Sequence, residues 1–436
     1  MEKFLILLIF SLFFFPIISK HIKFNFRRQK DIYSDDDEEL SMNILENNMF
    51  CDIEVGNQKI PFSISFDKEI TFIIDDNYTY SKFSKSKSNT FQKRSELTNS
   101  YVFDNIRFGY NATDTFKLIN GEDDEIKVEN MPFILGSYVE EKSSFKYPAQ
   151  LGLKKRTYNN PAIFNFVEQL KKRDVISSEV FYFKFDDNEG GELILGEYPH
   201  EFDENYDSKY LVQSSSLEIG TSYNWFLHFS YLIIGDTKID MKKISSELTP
   251  GKGMIVMNMQ MEKVIFDIYF KDLIDHKKCV RLKLKFYVNY VCQDSIDINT
   301  FPNITFRHLG MEYDFVFEPK DLFYHYYDRY FFLISFRDSF YILLGKPFFK
   351  KYNMIFNQDS KQLAIYSFYQ KNYTKTQKNS LVLPTILIII FSILVLVFVF
   401  FLFRYKLKKK KINEIEEGYD YSPEPSKDAR LTEMNS

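Results

Sequence analysis

The 436-residue sequence predicts an all-β ectodomain carried between an export signal and one C-terminal transmembrane helix. Three observations point there. Short runs rich in β-branched and aromatic residues recur from residue 50 to about residue 349, separated by turn residues, with one clear helical period among them. A short apolar run opens the chain, and a longer one lies near its end. Basic residues follow the second run directly and orient it.

Residues 1–19, within "MEKFLILLIFSLFFFPIISK", carry one Lys ahead of an apolar run from Phe4 to Ile18, the pattern of a secretory signal peptide. Residues 20–48 are charged and loosely patterned. They read as a propeptide-like or spacer segment, with Asp35 to Glu39 a solvated acidic run and Arg27-Arg28 a candidate processing site. Strands follow: "FCDIEV", "PFSISF", "ITFII", then "GGELILGEY" at 190–198 and "NWFLHFSYLIIG" at 224–235. "RLKLKFYVNYV" at 281–291, "FPNITFRHLG" at 301–310 and "SFYILLGKPFF" at 339–349 continue the series. The helix is "PAIFNFVEQLKKRDVIS" at 161–177, with Pro first and Ile163, Phe166, Val167 and Leu170 on one face.

After a linker at 371–380, the uncharged run Leu381–Phe403 is long enough for a bilayer core of about 30 Å at about 1.5 Å per residue. "RYKLKKKK" follows it and keeps the 404–436 tail cytoplasmic. The tail is polar and reads as a disordered spacer. The expected protein is single-pass type I. Its ectodomain is luminal or extracellular, in the secretory or endolysosomal system or at the cell surface. The sequons at Asn77, Asn111, Asn303 and Asn372 all fall between the two apolar runs and mark expected glycosylation sites.

Composition removes several function classes. A net charge of −4 gives no reason to expect a nucleic-acid partner. The six His are scattered without a His-Glu-x-x-His helix, and the three Cys have no Cys-x-x-Cys spacing, so no metal site is expected. Neither a glycine-rich phosphate loop nor a Gly-x-Ser-x-Gly elbow occurs, and no cofactor is called for. Cys279 and Cys292 can close one small loop in an oxidising compartment. Cys51 is then left over, buried or paired between chains.

The order of elements resembles the pepsin-like aspartic peptidases over about residues 50–368. The motifs that carry it are a turn, helix and strand leading into "GGELILGEY", Trp225 opening a later strand, "CQDSIDINTFPNITF", and the ending "YILLGKPFFKKYNMIFNQDSKQLAIYSF". The resemblance implies a bilobal β fold, with lobes at 49–215 and 216–370 and a peptide-binding cleft between them. It also implies two Asp-Thr/Ser-Gly loops whose carboxyls share a proton, one acting as base toward water and the other as acid.

In that frame "FDKE" keeps Asp67, the only surviving catalytic candidate, and replaces the small residues after it with Lys68 and Glu69. "MIVMNM" aligns with the second loop, so that Met257 stands for the Asp, Asn258 for the Thr and Met259 for the Gly. The flap of the family aligns with Phe108-Gly109, which lacks the phenol. The resemblance therefore implies a pseudo-peptidase that binds a peptide or protein ligand in its cleft. The alternatives are an active endopeptidase using an unconventional second acid such as Asp267, or a surface glycoprotein with a filled cleft.

Overall fold

The computed structural model describes residues 21–367 except 29–33, 35, 47, 67, 76–82, 97–105, 121–123, 140–147, 155–164, 187–189, 215–224, 242–243 and 312, together with Arg404 and Lys406. The described residues from 21 to 367 belong to one compact unit. The expected signal peptide and the 381–403 span lie outside the described residues. Among those described, no helix is long and apolar enough to cross a membrane.

The first half of the unit builds β1 (Ile22–Arg28), α1 (Asp37–Leu45), β2 (Met49–Val55), β3 (Gln58–Ser65), β4 (Phe72–Ile74), β5 (Gln92–Glu96) and β6 (Ile106–Asn120). It continues with β7 (Asp124–Val139), β8 (Ala149–Gly152), α2 (Phe166–Lys171), β9 (Val180–Phe185), β10 (Gly191–Leu195) and β11 (Leu211–Gln213). The second half builds β12 (Phe226–Ile234), β13 (Thr237–Asp240), β14 (Ser245–Leu248), β15 (Ile255–Asn258), α3 (Met259–Ile265), a wide helical turn (Phe266–Phe270), α4 (Lys271–Asp275), β16 (Cys279–Lys283) and β17 (Val288–Gln293). Then come β18 (Ile304–His308), β19 (Asp314–Phe317), α5 (Pro319–Leu322), β20 (Phe323–Tyr326), β21 (Arg329–Phe332), β22 (Ile334–Arg337), β23 (Tyr341–Leu344), α6 (Lys346–Tyr352), β24 (Ile355–Asn357) and β25 (Gln362–Tyr366).

The strands make two sheets. One runs β11-β25-β24-β9-β10-β1-β2-β3-β8-β4-β7-β6-β5, the other β19-β18-β12-β14-β23-β15-β22-β17-β21-β20. β24 and β25 thus leave the second half and join the sheet of the first. That return gathers aromatic rings from both halves around Phe356. Phe66 packs edge-on against Phe356 of β24 at 4.8 Å between centroids, Phe181 of β9 stacks on Phe356 at 5.0 Å, and Trp225 meets the same ring at 5.2 Å. Offset and edge contacts of this kind add to the burial of the rings themselves.

Several expectations change here. Among the described residues of 20–48, two stretches are regular structure where a loosely patterned segment was expected. In "IKFNFRR" the alternation buries Ile22, Phe24 and Phe26, and β1 pairs with both β10 and β2. The acidic run opens α1. Asp36 caps it by accepting from Glu38 N, and three carboxylates fill its first turn, where the helix dipole favours them. The 161–177 helix is shorter than its period suggested. Asn165 caps α2 at Phe166, and the helix ends at Lys171 before Asp174, whose φ is +55°. "RLKLKFYVNYV" is two strands, β16 and β17, with a turn at 284–287 that no Gly or Pro announces. "SFYILLGKPFF" divides into β23 and α6, which begins beside Pro347 and ends at the left-handed Asn353.

Candidate functional site

Two loops occupy equivalent places in the two sheets. In the first, β8 lies between β3, its parallel neighbour, and β4, its antiparallel one, and β4 then pairs parallel with β7. In the second, β23 lies between parallel β14 and antiparallel β15, and β15 pairs parallel with β22. The loop joining β3 to β4, residues 66–71, therefore corresponds to the loop joining β14 to β15, residues 249–254.

The first loop is held closely. Phe66 is buried against Phe181, Phe183, Phe349 and Phe356. Leu153 N donates to Ser65 O and Lys154 N to Lys68 O. A Cβ on Gly152 would stand 2.3 Å from Ile70 N, so only glycine lets β8 approach. Lys68 is exposed and Glu69 half-buried. Asp67 itself lies outside the described residues.

The second loop, Thr249-Pro250-Gly251-Lys252-Gly253, is held the same way. Thr249 N donates to Leu344 O at 2.9 Å and Lys346 N to Lys252 O at 2.6 Å. A Cβ on Gly345 would stand 2.0 Å from Met254 O. No carboxylate occurs in this loop.

This corrects the expected position of the second motif. Met257, Asn258 and Met259 follow the loop by most of a strand. Met257 is fully buried, paired with Phe336, and is core. Asn258 is the N-cap of α3, its Oδ1 accepting from Gln260 N at 2.6 Å. Met259 is half-buried in the first turn of that helix. The apparent match to an Asp-bearing strand was a core strand ending in a helix cap. Asp267, the other acid considered, is exposed on the wide turn beyond α3.

The N-terminal segment closes over the second sheet. Leu40, Ile44 and Leu45 of α1 pack with Met254, Val256, Val291, Phe331 and Leu343. Gly253 N donates to Leu45 O, and Arg329 pairs with Asp37. A cavity of about 650 Å³ lies beside α1, lined in part by Asp37, Tyr326, Arg329 and Phe331, and neither loop contributes to it.

The remaining candidates are placed as follows. Phe108 and Gly109 lie within β6, level with Tyr138 and Gly136 of β7. The β5–β6 connection at 97–105 and the Phe108 side chain lie outside the described residues. Cys279 and Cys292 form a disulfide between directly paired positions of β16 and β17. Cys51 is a buried free thiol whose pKa burial pushes up. Asn303 is exposed just before β18. Asn111 is flanked by strands on both sides, and its Nδ2 donates to Ser95 Oγ at 2.8 Å. Asn77 and Asn372 lie outside the described residues.

Comparison with known proteins agrees with this geometry. The family model for eukaryotic aspartyl proteases matches residues 52–367. The fold is similar to conglutin gamma, a basic 7S globulin from lupine seeds, with a TM-score of 0.59 and 10% identity over 80% of this chain and 95% of that one. It is also similar to basic 7S globulin from soybean, with a TM-score of 0.58 and 9% identity over 80% and 97%. No curated protein matches the sequence. With all-β bilobal architecture, paired site loops and a family match over most of the chain, this protein belongs to the eukaryotic aspartyl protease family.

Proposed function

We propose that the chain is a non-catalytic member of its family, an ectodomain held to a membrane by residues 381–403 that binds a peptide or protein partner through its cleft or surface. One observation carries the reading: the 249–253 loop, counterpart of the loop that holds Asp67, contains no acid. The family's chemistry needs two carboxyls sharing a proton. A lone Asp67 cannot serve as both base and acid, and loss of one member of a catalytic unit costs several orders of magnitude in rate. Lys68 and Glu69 stand where the family has the small residues that let its two loops approach closely. A luminal ectodomain is supported by the apolar opening run, the Cys279–Cys292 disulfide and the exposed sequon at Asn303.

The test is incubation of the purified full-length chain with a diverse peptide library from acid to neutral pH, beside Asp67→Ala. Neither protein is expected to cleave. Cleavage that disappears in Asp67→Ala overturns the reading. Topology is checked separately in microsomes, where the chain should resist alkaline extraction and expose only its tail to protease.

A further inference from the structure

The far end of the second sheet carries a row of side chains beyond the 249–253 loop. β15 and β22 finish side by side at Asn258 and Arg337. Leu343 pairs antiparallel with Val256, which brings Tyr341 level with Asn258. Val288 pairs antiparallel with Phe336, which brings Tyr287 level with Arg337. Arg337 Nη1 accordingly lies 3.5 Å from Tyr287 Oη. The result is one row on one face: Tyr341, Asn258, Arg337, Tyr287.

Arg337 is the odd member. Arg27, Arg281, Arg307 and Arg329 each sit on a carboxylate, and half-buried Arg173 is satisfied by Gln169 Oε1 and the carbonyls of Gln169 and Asn130. Among the described residues Arg337 has none. The residue is half-buried, and its Nε is enclosed without an acceptor. Withdrawing a charge from water without a counter-ion is costly. The long contact to Tyr287 leaves most of the five-donor fork unused. That fork matches a carboxylate in a bidentate pair.

The surroundings favour the same ligand. Asn258 spends its Oδ1 on the α3 cap, leaving its amide N–H groups as donors. Lys285 adds a second cation over the ring of Phe286 at 5.0 Å, while exposed Asp338 is the one acid adjacent in sequence. Large apolar groups flank the row in water: Phe340 is 90% exposed, Phe286 68% and Tyr341 50%. Exposed aromatics beside a desolvated arginine are what peptide-binding hot spots are made of.

We propose that this row binds an extended segment of a partner protein, with a carboxylate held by Arg337 and Asn258 and apolar side chains against Phe286, Phe340 and Tyr341. The proposal rests on the ligand-binding reading above and gives it a location and a chemistry. Recognition is of charge and aromatic surface, at a distance from the two loops.

The test uses the full-length chain and fluorescent decapeptides centred on Phe-Asp-Phe with randomised flanks, beside matched peptides centred on Phe-Asn-Phe. A third set, Phe-Ala-Phe with a free C-terminus, asks whether the carboxylate is a side chain or a chain end. Binding is read by anisotropy. A charge-assisted pair predicts that carboxylate peptides bind about 10–100-fold tighter than the Asn set. Arg337→Gln should abolish that preference, and Arg337→Lys should retain part of it, at unchanged melting temperature. Equal binding of all three sets, or a preference that survives Arg337→Gln, overturns this inference and leaves the ligand-binding reading standing. Binding of none likewise overturns this inference.

Discussion

The backbone N–H of Gly253 donates to the carbonyl of Leu45 across 3.0 Å. The bond ties the last turn of α1 to the loop whose counterpart carries Asp67. Immediately beyond it, Met254 and Val256 alternate onto the face that α1 covers, while Ile255 and Met257 turn into the main core. One short strand thus serves two hydrophobic clusters, and α1 supplies Leu40, Ile44 and Leu45 to one of them. The N-terminal segment and the second loop are a single packing unit.

The first prediction follows from that unit. Leu45 is fully buried, so Leu45→Ala should cost about 2–5 kcal/mol, the range for large-to-small core substitutions. Urea denaturation of the full-length chain measures it. An unchanged midpoint would mean that α1 does not hold the face it covers. The folded protein should also resist trypsin at Arg27 and Arg28, which lie inside a paired strand.

A second prediction concerns the glycines beneath the loops. Gly345→Ala would put a Cβ 2.0 Å from Met254 O and 2.6 Å from Lys252 O; Gly152→Ala would put one 2.3 Å from Ile70 N. These are backbone atoms and cannot step aside. Each variant should lose at least about 3 kcal/mol, in the far tail of single substitutions. Gly251→Ala is the control, since nothing lies within 4 Å of its Cβ, and its effect should stay within about 0.5 kcal/mol. Melting temperatures of the three variants decide it.

These residues also show what the sequence could reveal. β1 was legible in principle, because Ile22, Phe24 and Phe26 alternate with polar residues. The neighbouring charge run masked it, and a carboxylate at a helix start looks the same on paper as one in solvent. The second loop was misplaced for a different reason. "MIVMNM" has the apolar pattern of a strand entering a site, yet that pattern also describes a core strand followed by an Asn cap. Only pairing distinguishes them: β23 lies parallel to β14 and antiparallel to β15, and this identifies "TPGKG" as the loop. Gly345 was the available signal, since a glycine in "ILLGK" matching that in "AQLGL" marks both close approaches. The all-β character needed no such detail, because strand grammar repeats from residue 50 to about residue 349, whereas the two lobes were implied only by the family resemblance.

The third prediction is that the disulfide stabilises locally. Cys279 and Cys292 close a hairpin of 13-residue separation. The loop-entropy account gives about 3 kcal/mol for a loop of this size. The hairpin is also held by side chains, Arg281 Nε donating to Glu262 Oε1 at 2.8 Å and Phe270 stacking on Tyr290 at 4.1 Å. Replacing both cysteines by Ser should therefore lower the denaturation midpoint and leave circular dichroism unchanged. Added reductant should lower the midpoint of the native chain and not that of the double variant.

The last prediction concerns acid. Burial, and then the field of His228, lower the His308 pKa from 6.5 to about 4. The neutral ring is useful to the fold, because its Nδ1 accepts from Gly310 N at 3.0 Å and Met311 N at 2.8 Å. The unfolded chain takes up a proton at this residue below pH 6.5, and the folded chain does so only near pH 4. The stability supplied by neutral His308 is thus complete above pH 6.5 and is lost as pH falls toward 4. A shift of this size corresponds to about 3 kcal/mol over the full window. His308→Asn keeps an acceptor near the Nδ1 position and removes the titration. Between pH 7 and pH 5 the native chain should lose about 1–2 kcal/mol more than this variant in urea denaturation. Carboxylates that titrate in the same range are common to both proteins and cancel in the difference, so equal losses would show that His308 titrates alike in the folded and unfolded chains.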